Sequence, residues 1–460
     1  MKLVLLALAI YASTSPVVAP PALVPPVVPP GNIRVDPPVN TPVDIRVDAT
    51  KATTLPVTPV TQPSGELRTV APTAVLRIAS SPDGVPTDNE TFTRARKAIE
   101  RGLAFLGAAQ TTRGTWFEGE EVEPTDMEPR QRAASVAVTA MALKAFAQAG
   151  DIGDIAVRTR ARNAIALTLA DPKAMEAVST GGMGNYVMSS VASGLATVGD
   201  ADAMVGAQRA IHWLAESQWD EAEGIDASKD WYGGAGYGNG KRPDLSNTQM
   251  MLDAMHDAGV SPDEPAVQRA LAFVSRTQNR KESNPAAWSQ HGANDGGFVY
   301  SPANGGESMS SEAAGEGRYG EKLAAKSLRS YGSMTYAGLK SMLYAGLSPD
   351  DPRVKDALGW IAAHFTFAEN PGLGQQGYFY YIHAMARALQ AARVEKVADA
   401  KGTQHAWRTE LVDALVQRQR EDGSWRNSVE RWEESKEQLA TIYAVLALEE
   451  AIKPMNASSK

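Results

Sequence analysis

Leu411-Val-Asp-Ala-Leu-Val-Gln-Arg-Gln419-Arg-Glu-Asp-Gly423-Ser-Trp425 is the stretch that decides the fold. Its apolar residues recur at helical spacing and end in a glutamine, which is followed by a glycine four residues later and a tryptophan six residues later. The same order of residues occurs about 300 residues earlier, over Leu103–Trp116. Two copies this far apart indicate an internal repeat.

Weaker copies of this pattern lie between the two. Three of them share an aliphatic residue, an aromatic residue two positions later and a second aliphatic residue, and they begin at Ile211, Leu271 and Leu358. The segment Arg162–Leu169 is a weak copy, which brings the number of units to six. Each unit continues into a turn with an aromatic residue, and these residues are Trp116, Tyr186, Tyr237, Phe298, Tyr378 and Trp425. A second helix poor in charge follows, so the repeating unit is helix–turn–helix.

A helical hairpin of this kind cannot bury its apolar face alone, so the hairpins must stack on one another. The second helices are expected on the inside and the more charged first helices on the outside. Six hairpins are few for an open superhelix, which is the alternative, and closure into a ring hides both ends. The sequence therefore predicts an all-α domain over residues 89–452, an α/α toroid of about six helical hairpins.

The amino-terminal residues have the composition of an export signal. Lys2 precedes the apolar run Leu3–Ile10, and small residues follow up to Ala19. The run is shorter than the roughly 20 residues of a membrane-spanning helix, and Pro20 is a poor neighbour for cleavage. Residues 1–19 are predicted to be a signal peptide or an anchor, with a buried strand as the alternative. We expect export to the periplasm, the cell envelope or the medium, and membrane association through this end of the chain.

Residues 20–88 hold more than half of the 28 prolines and contain no aromatic residue. Proline fixes φ and removes a hydrogen-bond donor, and valine and threonine alone offer little surface to bury. This segment is therefore predicted to be a disordered, Pro-rich linker that tethers the toroid. Residues 453–460 are predicted to be a flexible tail.

The chain has 460 residues, a formal net charge of -8 and no cysteine. The acidic balance argues against nucleic acid as a partner. The absence of cysteine excludes disulfides, thiolate zinc sites, iron–sulfur clusters and cysteine nucleophiles. The six histidines include no His-x-x-x-His pair, so neither a metal site nor a cofactor is predicted.

The Gln-x3-Gly-x-Trp order at Gln110–Trp116 and Gln419–Trp425 resembles the QW repeat of the squalene–hopene cyclase and protein prenyltransferase superfamily. The resemblance extends over roughly Asn89 to Ile452. In that superfamily the glutamine ties neighbouring helix ends and the tryptophan stacks on it, so the resemblance implies structural roles for these residues. The prenyltransferase zinc site requires a cysteine ligand, which this chain lacks.

The resemblance also suggests where chemistry would occur. The cyclases carry an Asp-x-Asp-Asp-Thr-Ala motif at the start of one inner helix, and this chain has Asp244-Leu-Ser246-Asn247-Thr248-Gln249 at the start of its third. The proton donor of the family maps onto Ser246 or Asn247, and neither can protonate an alkene. Asp244 is therefore the candidate catalytic acid. The alternative is that Ser246 or Asn247 caps the helix while Asp244 lies near its positive end.

Aromatic residues close to this motif would line the cavity and stabilise cations by about 0.5–2 kcal/mol each. Together with Ser246 and Asn247, the predicted substrate-binding residues are Asp230, Trp231, Tyr232 and Tyr237 in the loop before the motif, and Tyr381 and His383 in the fifth inner helix. Core packing or sugar stacking is the alternative role for the aromatic side chains.

Three functions follow from these residues. The first is a squalene-cyclase-like toroid whose central cavity takes an apolar, isoprenoid-like small molecule or lipid, with terpenoid cyclisation as its reaction. The second is a non-catalytic binding or scaffold module of the cell envelope, in which the loop Ser301–Tyr331 contacts a protein partner. The third is a carbohydrate-active toroid, which needs two carboxyls about 5–10 Å apart; Asp230 and Asp244 are the pair the sequence offers.

Overall fold

The structure, a computed structural model, describes residues 67–69, 77–117, 127–238, 241–317 and 328–454. These ranges are mainly helical. The helices are α1 Asn89–Ala108, α2 Pro129–Gln148, α3 Ile155–Ala170, α4 Pro172–Thr180, α5 Gly184–Val198, α6 Ala201–Glu216, α7 Leu245–Asp257, α8 Pro265–Thr277, α9 Met309–Ala313, α10 Gly332–Tyr344, α11 Pro352–His364, α12 Tyr378–Ala391, α13 Trp407–Arg418 and α14 Glu437–Ala451. The short strands β1 Val397–Ala398 and β2 Gln404–His405 pair antiparallel between α12 and α13.

Six of the helices form a closed inner ring. Helices α2, α5, α7, α10, α12 and α14 contact one another in that order, and α14 contacts α2 again. Helices α1, α3, α6, α8, α11 and α13 lie outside them, each packed against one or two inner helices. The predicted all-α fold, an α/α toroid of six helical hairpins, is therefore confirmed.

Side-chain size and polarity explain which helices are inside. The inner helix α2 is rich in alanine, and Ala140 and Ala145 are fully buried; such small side chains let helices approach closely on both sides. The outer helix α8 buries Val267, Ala270 and Val274 at helical spacing and exposes Gln268 between the first two.

The glutamine at the end of an outer helix joins two successive hairpins. Gln110 Nε2 donates to Gly114 O at 3.1 Å in its own turn and to Val157 O at 3.0 Å in α3. Gln419 Nε2 makes the equivalent bond to Ala98 O of α1 at 2.9 Å, so the last hairpin is tied to the first. The same pair of bonds recurs at Gln218 and Gln278. A side-chain amide thus satisfies backbone carbonyls at each of these junctions.

The end of the predicted linker contacts the helical domain. Arg68 N donates to Glu264 Oε1 at 2.7 Å, and Thr69 forms an antiparallel bridge with Val260. Ile78 N donates to Gln148 O at 3.0 Å, and the Ile78 side chain is buried. Packed structure therefore begins before α1. The predicted signal peptide or anchor, most of the linker and most of the tail lie outside the described residues. Within the described ranges, no helix has the length and apolar character required to cross a membrane.

Candidate functional site

Asp244 stands at the start of α7 and is fully buried. Its Oδ1 accepts from the backbone N of Asn247 at 2.9 Å, so Asp244 is itself the N-cap of the helix. Ser246 Oγ also donates to Oδ1 at 2.7 Å, and Asn247 Nδ2 donates to Oδ2 at 2.9 Å. The alternative to a catalytic Asp244 in the sequence analysis assigned the cap to Ser246 or Asn247. The structure corrects this prediction, because both residues donate to the capping carboxylate.

The surroundings of Asp244 act on its pKa in opposite directions. Burial raises the pKa, whereas the hydrogen bonds from Ser246 and Asn247 and the charge of Arg242 lower it, with a net rise. Every hydrogen bond just described is donated to the carboxylate, which favours its ionised form. An acid that protonates an alkene must instead present its own proton. The geometry therefore favours a positioning role for Asp244 at the start of α7.

Five tyrosine side chains lie near enough to this carboxylate for its charge to act on them, and a sixth packs against one of the five with ring centroids 5.9 Å apart. The group, here called the tyrosine layer, consists of Tyr186, Tyr237, Tyr300, Tyr331, Tyr380 and Tyr443. Burial raises the pKa of each, and the negative charge of Asp244 raises it further in all but the last. The hydroxyls are therefore neutral at pH 7 and can both donate and accept hydrogen bonds.

Contacts of the tyrosine layer link α5, the loop before α7, the turn that holds Tyr300 and α7 itself. The rings of Tyr186 and Tyr237 stack with centroids 5.5 Å apart. The hydroxyl of Tyr300 lies 3.4 Å from the Tyr237 hydroxyl and 3.3 Å from Ser246 Oγ. Tyr186, Tyr237 and Tyr380 are only partly buried, although they lie inside the ring. This end of the ring therefore carries tyrosine side chains that are still partly exposed.

Polar side chains continue along the axis below the tyrosines. Gln249 Nε2 donates to the Tyr380 hydroxyl at 3.2 Å. Lys340 Nζ donates to Gln249 Oε1 at 2.7 Å and to Asp253 Oδ2 at 2.6 Å. Burial lowers the pKa of Lys340 to about 8, although Asp253 opposes the shift. The His383 ring lies 5.7 Å from that of Tyr443. We call Ser189, Ser190, Gln249, Asp253, Lys340 and His383 the middle layer.

Ion pairs fill the axis toward the carboxyl ends of the inner helices. Asp257 of α7 accepts from Lys144 of α2 at 2.6 Å, from Arg387 of α12 at 2.9 Å and from the hydroxyl of Ser193 of α5. Lys453, just beyond the end of α14, pairs with Glu450 of that helix at 2.6 Å. We call these five charged residues the ion belt. A hollow with an apolar lining was expected here, but the inner faces of the helices carry charges that meet across the ring.

The structure brings five of the predicted site residues together on the axis. They are Asp244, Ser246, Asn247, Tyr237 and His383. The sequence had given Tyr237 the turn position equivalent to the repeat tryptophan. That position belongs to Ala235, whose N–H donates to Thr248 Oγ1 as Trp425 N–H donates to Thr441 Oγ1. Tyr237 is two residues further on and is thereby free to join the tyrosine layer.

The other four predicted residues lie away from the axis. The ring of Trp231 contacts Trp219 at 4.8 Å, and Tyr232 donates to Glu221 Oε1 at 2.9 Å. Asp230, in the same loop, is half-buried beside the guanidinium of Arg276 in the outer helix α8, and burial raises its pKa. It therefore does not share a site with Asp244. The glycoside-cleaving hypothesis required the two carboxyls to face each other in one site.

Tyr381 points between helices rather than into the ring. Its hydroxyl donates to Thr366 O at 2.7 Å, and its ring contacts Tyr336 at 5.7 Å. Tyr380, its neighbour in the sequence, is the residue of α12 that faces the axis. Spacing of polar residues would have identified this face, because Tyr380, His383 and Arg387 follow one another at helical intervals.

A separate cleft of about 680 Å³ opens beside the loop Ser301–Tyr331, which was predicted to contact a protein partner. Its lining includes Asp295, Arg329, Trp360 and His364, none of which belongs to the axial layers. In the described part of the chain, no three acidic or histidine side chains come together as a group that could hold a metal ion.

No protein-family model matches this chain, and no curated protein matches it. Among solved structures, the GH76A α-1,6-mannanase from Salegentibacter sp. HEL1_6 aligns with 78% of this chain and 98% of its own, at 10% identity and a TM-score of 0.51. The type II terpene cyclase MstE from Scytonema, solved with merosterolic acid A, aligns with 80% of this chain and 99% of its own, at 15% identity and a TM-score of 0.31. The mannanase likeness shows a shared α/α-toroid fold, and neither likeness assigns an activity.

A first prediction concerns Asp244. Asp244→Ala is expected to lower the free energy of unfolding by about 1–3 kcal/mol, because it removes a helix cap and leaves buried donors unpaired. Asp244→Asn retains one acceptor oxygen and is expected to cost less than half as much. Urea unfolding measures both, with Asp263→Ala in an exposed turn as the control, for which we expect no change. Equal losses for the two Asp244 variants would contradict the positioning role.

Proposed function

We propose that this protein is a ligand-binding α/α toroid, and that its ligand lies on the ring axis at the tyrosine layer. The observation that carries the proposal is the clustering of six tyrosines, of which five lie close enough to the buried carboxylate of Asp244 to feel its charge and three are only partly buried. Aromatic faces provide apolar contact area, and neutral hydroxyls fix the orientation of a ligand. A site of this kind suits a small molecule with both apolar and polar surface.

Binding without catalysis is favoured by the hydrogen bonds at Asp244. Three donor groups from Ser246 and Asn247 bond to its two oxygens, and donated hydrogen bonds favour the ionised carboxylate over an acid that presents its own proton. We further propose that the toroid works after export, with residues 1–88 linking it to the cell envelope. A protein partner would bind beside the loop Ser301–Tyr331, where the 680 Å³ cleft opens.

The second prediction tests this proposal. Native mass spectrometry of the full chain, purified from its own host, is expected to show one co-purifying small molecule. Tyr237→Phe is expected to weaken binding of that molecule about five- to tenfold, since one hydrogen bond contributes roughly 1 kcal/mol.

Tyr381→Phe is the matched control, because that tyrosine lies outside the axial layers and its loss is expected to leave binding unchanged. A chain free of any small molecule but associated with a protein in fixed ratio would instead support a scaffold function.

A terpenoid cyclase with a degenerate acid motif is the second candidate, with an apolar isoprenoid substrate. Two observations favour it: burial raises the pKa of Asp244, and aromatic rings that could stabilise a carbocation surround it. Incubation of the purified protein with squalene, followed by analysis for cyclic products, tests it directly. Products that disappear in Asp244→Asn would establish this candidate, and their absence in the wild-type protein would reject it.

A further inference from the structure

Four buried polar atoms of the middle layer have no hydrogen-bond partner in the described part of the chain. They are Ser189 Oγ, Ser190 Oγ, Asp253 Oδ1 and His383 Nε2. The first three belong to residues that are 1%, 3% and 5% exposed, respectively. Such atoms are rare in folded proteins, because a buried polar group that leaves water without a new partner is costly. Four in one layer leave donors and acceptors that a bound ligand or buried water would satisfy.

Helical spacing places these atoms on the axis, directly below the tyrosine layer. Ser189 and Ser190 lie one turn after Tyr186 and one turn before Ser193, which bonds to the ion belt. Asp253 lies one turn after Gln249, which bonds to Tyr380. His383 likewise lies one turn after Tyr380. The unpartnered atoms therefore come from three inner helices at the same depth in the ring.

Their chemistry defines what would satisfy them. The serine hydroxyls donate and accept, whereas the carboxylate oxygen of Asp253 only accepts. Burial and the nearby cations Arg387 and Lys340 hold the pKa of His383 well below its usual range, so its imidazole is neutral and offers one donor and one acceptor. A hydrocarbon chain would leave all four atoms unsatisfied. Ligand hydroxyl groups, which both donate and accept, match the whole set.

The charged residues around these four atoms also restrict the class of ligand that would bind there. Lys340 pairs with Asp253 at 2.6 Å, and Asp257 pairs with both Lys144 and Arg387 in the ion belt beneath it. An anionic ligand would face the carboxylate of Asp253, and a cationic one would face Lys340 and Arg387. A neutral ligand meets neither penalty.

Resting on the ligand-binding function proposed above, we infer that the ligand is a neutral, polyhydroxylated molecule of the sugar class. Its inner hydroxyls bond to Ser189, Ser190, Asp253 and His383, and its outer part stacks on the rings of the tyrosine layer. Aromatic stacking combined with dense hydrogen bonding suits the apolar faces and hydroxylated rim of a sugar ring.

The third prediction tests this class by calorimetric titration of the full chain. The panel contains glucose, mannose, galactose, N-acetylglucosamine, their disaccharides and myo-inositol, with farnesol and squalene as apolar probes. At least one sugar is expected to bind, and Ser190→Ala is expected to weaken it at least fivefold. Without ligand, Ser190→Ala is expected to melt at the same temperature as the wild type or higher, because it removes an unpartnered hydroxyl. Ser189→Ala repeats the test.

Ser228→Ala, an exposed serine in the loop before α7, is the matched control and is expected to leave affinity and melting temperature unchanged. Binding of farnesol or squalene without any sugar would overturn the ligand class and leave the binding function standing. Sugar binding that is unchanged in both serine variants would overturn the role of the middle layer. Failure of every probe to bind, with no small molecule on the protein from its host, would overturn both proposals.

Discussion

Replacement of Asp257 by alanine is expected to lower the free energy of unfolding by about 3–5 kcal/mol. Asp257 is the shared partner of Lys144 and Arg387, which are 7% and 5% exposed. Its removal leaves two buried cations without their counter-charge, and the low dielectric of the ring interior makes this costly. Urea unfolding monitored by circular dichroism measures the loss.

Two controls separate the uncompensated charge from other effects. Asp356→Ala breaks the ion pair between Asp356 and Arg280, in which the Asp356 side chain is 49% exposed. This variant is expected to lower the free energy of unfolding by less than about 1 kcal/mol. Adding Lys144→Met and Arg387→Met to Asp257→Ala is expected to recover stability, because the unpaired charges are then gone. A triple variant less stable than the single one would contradict this account.

The pH dependence of the same variant follows from the pKa of Asp257. Burial would raise this pKa, but Arg387 and Lys144 hold it well below its usual range. A depressed folded-state pKa contributes stability that is complete above the unfolded value of about 3.9 and is lost as the pH falls through the folded value. The difference in the free energy of unfolding between wild type and Asp257→Ala is therefore expected to be constant from about pH 5 to 7 and to shrink below about pH 4.

The fold could be predicted because its determinants are local and repeated. Each outer helix ends in a short turn. The fifteen residues Leu411–Trp425 contain both parts of the junction between hairpins, the bonding side chain of Gln419 and the turn glycine Gly423. Asp244, Ser246, Asn247 and His383 could be placed on the axis for a related reason. They lie in the first turns of inner helices, where a ring fold concentrates its ligand site.

The polarity of the interior could not be predicted in this way. The sequence reveals that an inner helix is poor in charge, but not that its few charges meet others across a ring. Lys340 and Asp253 are 87 residues apart, and Arg387 and Asp257 are 130 apart. These partners depend on the rotation of helices about their own axes, which no local pattern specifies. For the same reason, the sequence does not reveal that five further tyrosines belong to one layer. They are Tyr186, Tyr300, Tyr331, Tyr380 and Tyr443.

The closing junction of the ring provides the second large effect. Gly423 has φ of +90°, and a Cβ at this position would lie 2.5 Å from the carbonyl oxygen of Arg101 in α1. Gly423→Ala is expected to lower the free energy of unfolding by about 2–5 kcal/mol, combining about 1–2 for the left-handed backbone with about 1–3 for overpacking. Urea unfolding measures the total. Hydrogen exchange is expected to rise in both α1 and α13, the first and last outer helices.

Gly402→Ala distinguishes ring closure from backbone strain alone. Gly402 has φ of +84°, but a methyl group added there would have no atom within 4 Å. Gly402→Ala is therefore expected to lower the free energy of unfolding only by the cost of the left-handed backbone, about 1–2 kcal/mol. The excess loss at Gly423 then measures the contact between the last hairpin and the first. Because Gln419 bonds to Ala98 at 2.9 Å across the same junction, a methyl that pushes α1 outward also breaks that bond. Equal losses at the two glycines, with exchange unchanged in α1, would mean that the ring is not held together here.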